Sequence, residues 1–312
     1  MSTMEGEEMK GCEDTNTTSA MKQEEEEAIS RSDPHILGID EAGRGPVLGP
    51  LVYGICYCPK KMQELLKTLG FAEFRKPTNE WLLADSKVLS EEQREKLFAL
   101  IKATKALGWK VDVISPEEIS DVMLRPQKQS LNQLSHNSAM SLVRQALDEG
   151  VNVTEVFVDT VGPPDSYRAK LERNFPGIEF TVTSKADSKF PIVSAASICA
   201  KVVRDHALDG WTYIEEEKPN NDFGCGYPGD ENTKRWLKEN FDPVFGFPSL
   251  VRFSWSTARN IVEEKGHAVD WGNDQEQPSV TSYFSSKASS GPKLKDRFRY
   301  FQRKQAELVT TF

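Results

Sequence analysis

The 312-residue sequence predicts an α/β fold, a mixed sheet flanked by helices, with a helical C-terminal extension. Two observations carry that prediction. Strand-like segments adjoin early in the chain, at 36–39 and 47–58, where Val, Tyr and Ile are prominent. Helical patterns then alternate with short apolar runs as far as residue 217, the arrangement of helices packed against a sheet.

Each element has its own signal. Order is expected to begin near His35, with the apolar run Ile36 to Ile39 ending at Asp40. Ser90-Glu91-Glu92-Gln93 reads as a capping box, opening a helix in which Leu97, Phe98 and Ile101 recur at helical spacing. Trp109 to Ile114 alternates as a strand, and Ser115-Pro116-Glu117-Glu118 caps a second short helix. A longer helix is expected from Leu131 to Glu149, followed by the strand EVFVDT at 155–160 with Asp159 near its end. Beyond Pro163-Pro164 a helix runs through Leu171, and Ile178 to Thr183 reads as a strand with alternating faces. From Ile192 to about Glu217 the small-residue run VSAASICAK continues into VVRDHALDGW and predicts one long buried helix, close-packed through its Ala and Ser positions. GCGYPGD at 224–230 is a loop, with helical stretches near 231–240 and 255–265.

Composition bounds the rest. The formal charge of -9 is unevenly spread: residues 1–34 carry ten acids and three bases, whereas 285–312 carries seven bases and two acids. Residues 1–34 therefore read as an acidic disordered tail, 35–217 as the folded core, 218–269 as a loop and helical region, and 270–312 as a polar, partly disordered tail. An acidic sum does not exclude a nucleic-acid partner, because only the local field is felt within a Debye length of about 10 Å. No segment approaches the apolar run that crosses a bilayer, so no membrane partner is expected, and the N-terminus lacks a secretory apolar stretch. The five cysteines never form C-x-x-C, which argues against structural zinc and for a reducing compartment, cytosol or nucleus.

The stretch GIDEAGRGPVLG (38–49) could cradle a dinucleotide or present acids to a metal. A dinucleotide loop needs G-x-G-x-x-G leading into a helix. Here the third glycine, Gly49, comes one residue late, Pro46 follows Gly45, and a strand-like run follows instead of a helix. As an isolated pair, Asp40 and Glu41 would merely decorate a turn. Asp159 and Asp187, however, occur in similar strand-end settings, and carboxylates converging in a sheet cleft repel one another unless cations sit among them. Oxygen-only ligands suit Mg²⁺ or Mn²⁺ rather than zinc, and the four histidines show no ligand spacing.

Six motifs in order carry a specific resemblance: IDEAGRGPVLGP (39–50), ADSK (84–87), FVDTVG (157–162), KAD (185–187), SAASICAKVVRD (194–205) and GCGYP (224–228). Together they resemble type 2 ribonuclease H over roughly residues 36 to 260, closest to the catalytic subunits of its eukaryotic branch. The resemblance implies a ribonuclease H-like sheet on which Asp40, Glu41, Asp159 and Asp187 hold two divalent ions, Mg²⁺ or Mn²⁺. It implies that Gly43, Arg44 and Gly45 form a ribonucleotide-sensing loop, that Tyr227 packs on the neighbouring deoxyribose, and that Lys87 is a phosphate-side cation. Taken alone, Tyr227 would be a loop anchor and Lys87 a solvated lysine. Asn132 and Arg204 are weaker candidates for backbone contacts, and Asp205, beside Arg204 in mid-helix, reads as a member of a structural ion pair.

The implied substrates are RNA/DNA hybrids and duplex DNA carrying single ribonucleotides, and the implied partners are two noncatalytic subunits of a heterotrimer, with a nuclear location. In the tail, QPSVTSYF (277–284) resembles sliding-clamp-binding peptides through Gln277, Val280, Tyr283 and Phe284. Another metal-dependent nuclease of the same broad fold, or a noncatalytic adaptor that retains it, are the rival readings.

Overall fold

The computed structural model describes residues 30–71, 74–75, 81–82, 89–215 and 219–267. Lys87 with the rest of ADSK, the acidic segment 1–29 and the clamp-like residues 277–284 lie outside the described residues. Residues up to Gly266 form one unit and those from His267 a second, of which only His267 is described.

The first unit is built on a five-stranded sheet. Its strands are β1 (His35–Ala42), β2 (Leu51–Pro59), β5 (Gly108–Ile114), β6 (Val153–Asp159) and β7 (Glu179–Thr183), in the spatial order β5-β2-β1-β6-β7. β1 pairs antiparallel with β2, and β2 antiparallel with β5, while β1, β6 and β7 run parallel. A separate two-stranded ribbon, β3 (Phe74–Arg75) with β4 (Trp81–Leu82), and a short helix α1 (Gln63–Thr68) are elements that no local pattern announces.

β1 is buried along nearly its whole length because both of its faces are covered. Leu37 and Ile39 join a cluster with residues of α4 (Leu131–Asp148) and α5 (Pro164–Asn174), whereas Ile36 joins one with α2 (Glu91–Ala103) and α6 (Pro191–Asp209). A strand covered on both faces reads as a continuous apolar run, as 36–39 does. α6 is buried from Ile192 to Ala200, and at Gly54 a Cβ would stand 2.6 Å from the Ala196 carbonyl oxygen, so the small residues of β2 and α6 permit the close approach expected of them.

The predicted caps form. Ser90 Oγ accepts from Gln93 N (3.3 Å) while Ser90 N donates to Gln93 Oε1 (2.9 Å), and Ser115 caps α3 (Pro116–Leu124) with proline in its first turn. Each such cap contributes about 1 kcal/mol. Two expectations are corrected. β2 starts at Leu51 rather than Val47, because Pro46, Pro50 and a left-handed Gly49 (φ 79°) break the extended run, leaving only an isolated bridge between Leu48 and Val251. The long helix ends at Asp209 rather than near Glu217, with Gly210 N closing it onto the His206 carbonyl. Beyond that glycine Tyr213 turns into a third apolar cluster, with Val47, Leu48, Trp236, Leu250 and Val251. α7 (Glu231–Glu239) adds Leu237 and α8 (Ser256–Lys265) adds Ala258 and Ile261 to that cluster, which includes Val47 and Leu48 of the loop after β1.

Candidate active site

The parallel pair β1/β6 brings two acids side by side. The register sets Ile39 opposite Val158, so Asp40 and Asp159 come next in line toward the carboxyl ends of their strands. Clefts outside the carboxyl ends of parallel strands are where open α/β sheets hold ligands. β7 ends at Thr183, paired with Asp159, and a 3₁₀ turn Ala186–Ser188 immediately beyond it carries Asp187. Lys185, the only described non-glycine with positive φ (54°), opens that turn, and Ala186 N donates to Asp159 Oδ1 (3.2 Å). Thr160 N donates to the same oxygen (3.1 Å), Glu41 N to Asp40 Oδ1 (2.8 Å) and Ser188 N to Asp187 Oδ1 (3.0 Å). The main chain thus fixes each carboxylate in place.

Asp40 is 5 % exposed, and burial pushes its carboxyl up to about 7. A hydrogen bond from Ser197 on α6 opposes that rise, and the charges of Asp159 and Asp187 add to it. Three mutually repelling carboxylates at one sheet edge destabilise the ionised state, and a hard cation relieves that repulsion. Among the described residues no group of three or more His, Cys, Asp or Glu side chains stands at metal-holding distance. The acids therefore meet at Coulombic range, and an oxygen-only donor set is the chemistry that Mg²⁺ or Mn²⁺ takes. Glu41, one residue on, points to the opposite face of β1: it pairs across the ladder with Tyr53, on the face that Leu37 and Ile39 share with α4 and α5.

The loop after β1 is held by side chains remote in sequence. At Gly43 (φ 81°) a Cβ would stand 2.1 Å from Arg204 Nε, and at Gly45 it would stand 3.0 Å from the Tyr227 ring. A side chain at either place would push its neighbour aside, and the exposed Tyr227 ring (50 % exposed) lies over the loop's open edge. Arg44 reaches back to α4, donating to Ser135 Oγ (2.8 Å) and to Asn132 Oδ1. Asn132 thus meets Arg44, and it also lies under Gly162. Arg204 points inward, its guanidinium 3.3 Å from the Pro50 carbonyl oxygen and 3.4 Å from that of Leu48. Its neighbour Asp205 does form an ion pair, but with Arg94 of α2 (2.9 Å) rather than with Arg204, whose side chain is taken by the loop.

Arg252 and Trp255 had no signal in the sequence. Arg252 is fully buried, and its guanidinium donates to the carbonyls of Gly49 (2.8 Å), Arg44 (3.2 Å) and Gly43 (2.6 Å). Burial, and then the charge of Arg204, lower its pKa to about 9. It stacks over Trp255 (4.8 Å), whose indole N–H donates to the Gly45 carbonyl (3.0 Å). All three residues of Gly43-Arg44-Gly45 therefore have their carbonyls tied to the segment before α8. Tyr227 is aimed by a similar device: Val47 N donates to the Gly226 carbonyl (2.8 Å) and Gly226 N to Thr233 Oγ1 (3.0 Å). The described cysteines, Cys56, Cys58, Cys199 and Cys225, are free thiols. No described helix is long and apolar enough to cross a membrane.

Acids thus stand at the carboxyl edge of a mixed sheet, beside a glycine loop overlaid by an exposed aromatic. Comparison with known proteins makes this specific. The family model for ribonuclease HII matches residues 37–258. The A subunit of ribonuclease H2 from Homo sapiens is 49% identical over 290 residues, covering 91% of this chain and 93% of the human protein. The ribonuclease H2 structure from Pyrococcus horikoshii superposes with a TM-score of 0.59 at 34% identity, covering 74% of this chain and 98% of that one. The PCNA:RNase HII complex from Archaeoglobus fulgidus gives 0.57 at 29% identity, with 75% and 98% covered. The chain belongs to the ribonuclease HII family and is a ribonuclease H hydrolase.

Proposed function

We propose that this chain hydrolyses the RNA strand of RNA/DNA hybrids and cuts duplex DNA on the 5′ side of single embedded ribonucleotides, leaving 5′-phosphate and 3′-hydroxyl ends. The observation that carries the proposal is the juxtaposition of Tyr227 with Gly45, on the loop that continues directly from Asp40 and Glu41. A ribonucleotide within DNA differs from its neighbours by one hydroxyl at the sugar, so a selective enzyme must read that group directly. A glycine loop whose main chain is open to close approach, with an aromatic ring over its edge, suits a sugar.

Asp40, Asp159, Asp187 and Glu41 would hold two divalent ions, Mg²⁺ or Mn²⁺. Such ions, when bound, activate a water and neutralise charge on the attacking and leaving oxygens of an in-line displacement at phosphorus. The chain's own contribution is placement. Main-chain amides and Ser197 orient the carboxylates, Arg252 and Trp255 fix the sugar-facing loop, and Tyr227 limits how a sugar enters. Lys87 is proposed as a phosphate-side cation.

The biological setting follows as part of the same proposal. The human relative is named as one subunit of ribonuclease H2, which supports a multi-subunit assembly for this chain, and two noncatalytic partners are part of the proposal. The clamp complex of the Archaeoglobus relative supports clamp binding through Gln277, Val280, Tyr283 and Phe284. Ribonucleotide and primer removal during replication would place the chain in the nucleus.

The test is cleavage of three duplexes of one sequence: a hybrid, a DNA duplex with one ribonucleotide, and an all-DNA duplex, with the chain alone and with its partner subunits. Metal-dependent cutting of the first two alone is expected. Cutting of the all-DNA duplex would replace this reading with that of a general nuclease.

A further inference from the structure

Two loops leave the acid edge side by side, one after β1 and one after β6, and one turn of α4 grips both. Asn132, Ser135 and His136 stand at positions i, i+3 and i+4 of that helix and so share one face. Toward the first loop, Arg44 Nη1 donates to Ser135 Oγ (2.8 Å) and Nη2 to Asn132 Oδ1. Ser135 is fully buried, so the core fixes this acceptor.

The second loop, residues 160–162, continues directly from Asp159. His136 Nε2 lies 3.2 Å from the Val161 carbonyl oxygen. A carbonyl only accepts, so Nε2 carries the proton and donates it. The same imidazole stacks on Tyr167 of α5, with centroids 3.8 Å apart and planes 8° from parallel. His136 therefore holds the loop itself and also the helix into which the loop runs. At Gly162 (φ 84°) a Cβ would stand 2.9 Å from Asn132 Nδ2, so glycine lets the main chain press against that amide. Thr160 Oγ1 donates to the Gly162 carbonyl (3.1 Å) and closes the loop on itself.

The sheet does not set the spacing of these loops. The β1/β6 ladder makes its last pair at Ile39 and Val158, and beyond it the two chains are joined through α4. We infer that Asn132 and His136 are positioning residues: they form a bracket that fixes the distance between the sugar-facing loop and the edge bearing Asp159. His136 acts through the Val161 carbonyl and Asn132 through Arg44. The inference rests on the proposed reading of Asp159 as a metal ligand and of the Gly43–Gly45 loop as the sugar site. Such a spacing matters because a misplacement of about 1 Å costs about 10²-fold in rate.

The experiment uses the full chain under the cleavage conditions above and measures kcat, KM and Tm. His136→Phe keeps a ring to stack on Tyr167 but loses the donor, whereas His136→Gln loses the stack and keeps an amide N–H in place of Nε2. In His136→Phe kcat is expected to fall about tenfold on the hybrid and on the single-ribonucleotide duplex alike, with KM within about twofold of the parent. His136→Gln is expected to regain most of that loss. In His136→Phe combined with Asn132→Ala the loss should be smaller than the product of the two single losses, because both changes release one spacing. A parent-like kcat in His136→Phe, a His136→Gln no faster than His136→Phe, or single losses that simply multiply overturns the inference. A kcat that follows a lowered Tm across the variants also overturns it, since the face would then be structural. Full activity in Asp159→Asn overturns the reading beneath it, whereas loss there beside a parent-like His136→Phe overturns the bracket alone.

Discussion

The acid edge of the sheet and the Gly43–Gly49 loop adjoin in sequence, yet they are held in different ways. Asp40 and Asp159 lie within strands and Asp187 lies four residues beyond one, each accepting from a main-chain amide close by in the chain or across the ladder. The loop has no regular structure. Its carbonyls are held by Arg252 and Trp255, some 210 residues away, and it is braced by Arg204 from α6. In the proposed scheme, bond-breaking chemistry stands on the scaffold and recognition on a clamped loop. Damage to the scaffold's acids should abolish turnover on every substrate, whereas damage to the loop should alter stability or the choice of substrate.

The largest effect tests the acids. Asp40→Asn or Asp159→Asn should lower hybrid cleavage in saturating Mg²⁺ by about 10³-fold or more, with little change in melting temperature. Full activity in either variant would remove the carboxylate cluster from the chemistry. Next comes the clamp. Arg252→Ala strands three carbonyls in a buried place, at about 1–3 kcal/mol for each one left unsatisfied, so the melting temperature should fall by several degrees. Arg252→Lys should recover little, because a compact ammonium cannot serve three acceptors spread along a planar fork. A lysine variant that melts like the parent would show that burial of charge, not the fork, holds the loop.

Tyr227→Ala should then separate recognition from chemistry. Cleavage at a single ribonucleotide is expected to fall by about 10²-fold, because misplacement of the sugar is amplified in rate, while hybrid cleavage and melting change less. An equal loss on both substrates would make the ring a general binding platform.

The smallest effect concerns pH. Burial lowers the pKa of His136, against a hydrogen bond to the Val161 carbonyl (3.2 Å) that opposes the shift. The folded state therefore binds a proton less readily than the unfolded chain, whose histidine titrates near 6.5. Stability from this group is fully present above about pH 6.5 and is lost as the pH falls below it. Urea unfolding at pH 7.5 and 5.5 should show a slope that His136→Gln reduces. An unchanged slope would place the titration elsewhere.

Much of the fold was legible from local signals. The caps at Ser90 and Ser115, the apolar run of β1, the strand ending at Asp159 and the small-residue face of α6 each depend on neighbours within a few residues. Local signals failed where a distant group decided the outcome. Val47 and Leu48 have the composition of a strand but are drawn into the third cluster, and the chain after Gly210 leaves its helix to bury Tyr213.

By itself the sequence singled out the acids proposed to carry the chemistry, because oxygen ligands at strand ends and an ordered set of motifs are written in residue type and spacing. Only the tertiary structure decided how they are shared out. The pleat turns Asp40 toward α6 and Glu41 toward Tyr53, because consecutive residues of a strand face opposite ways. The fold also made Arg252 the holder of the Gly43–Gly45 loop, and nothing near that arginine in sequence marks it for the task. Its role comes from burial next to carbonyls that no strand satisfies, which exists only once residues some 210 apart have met.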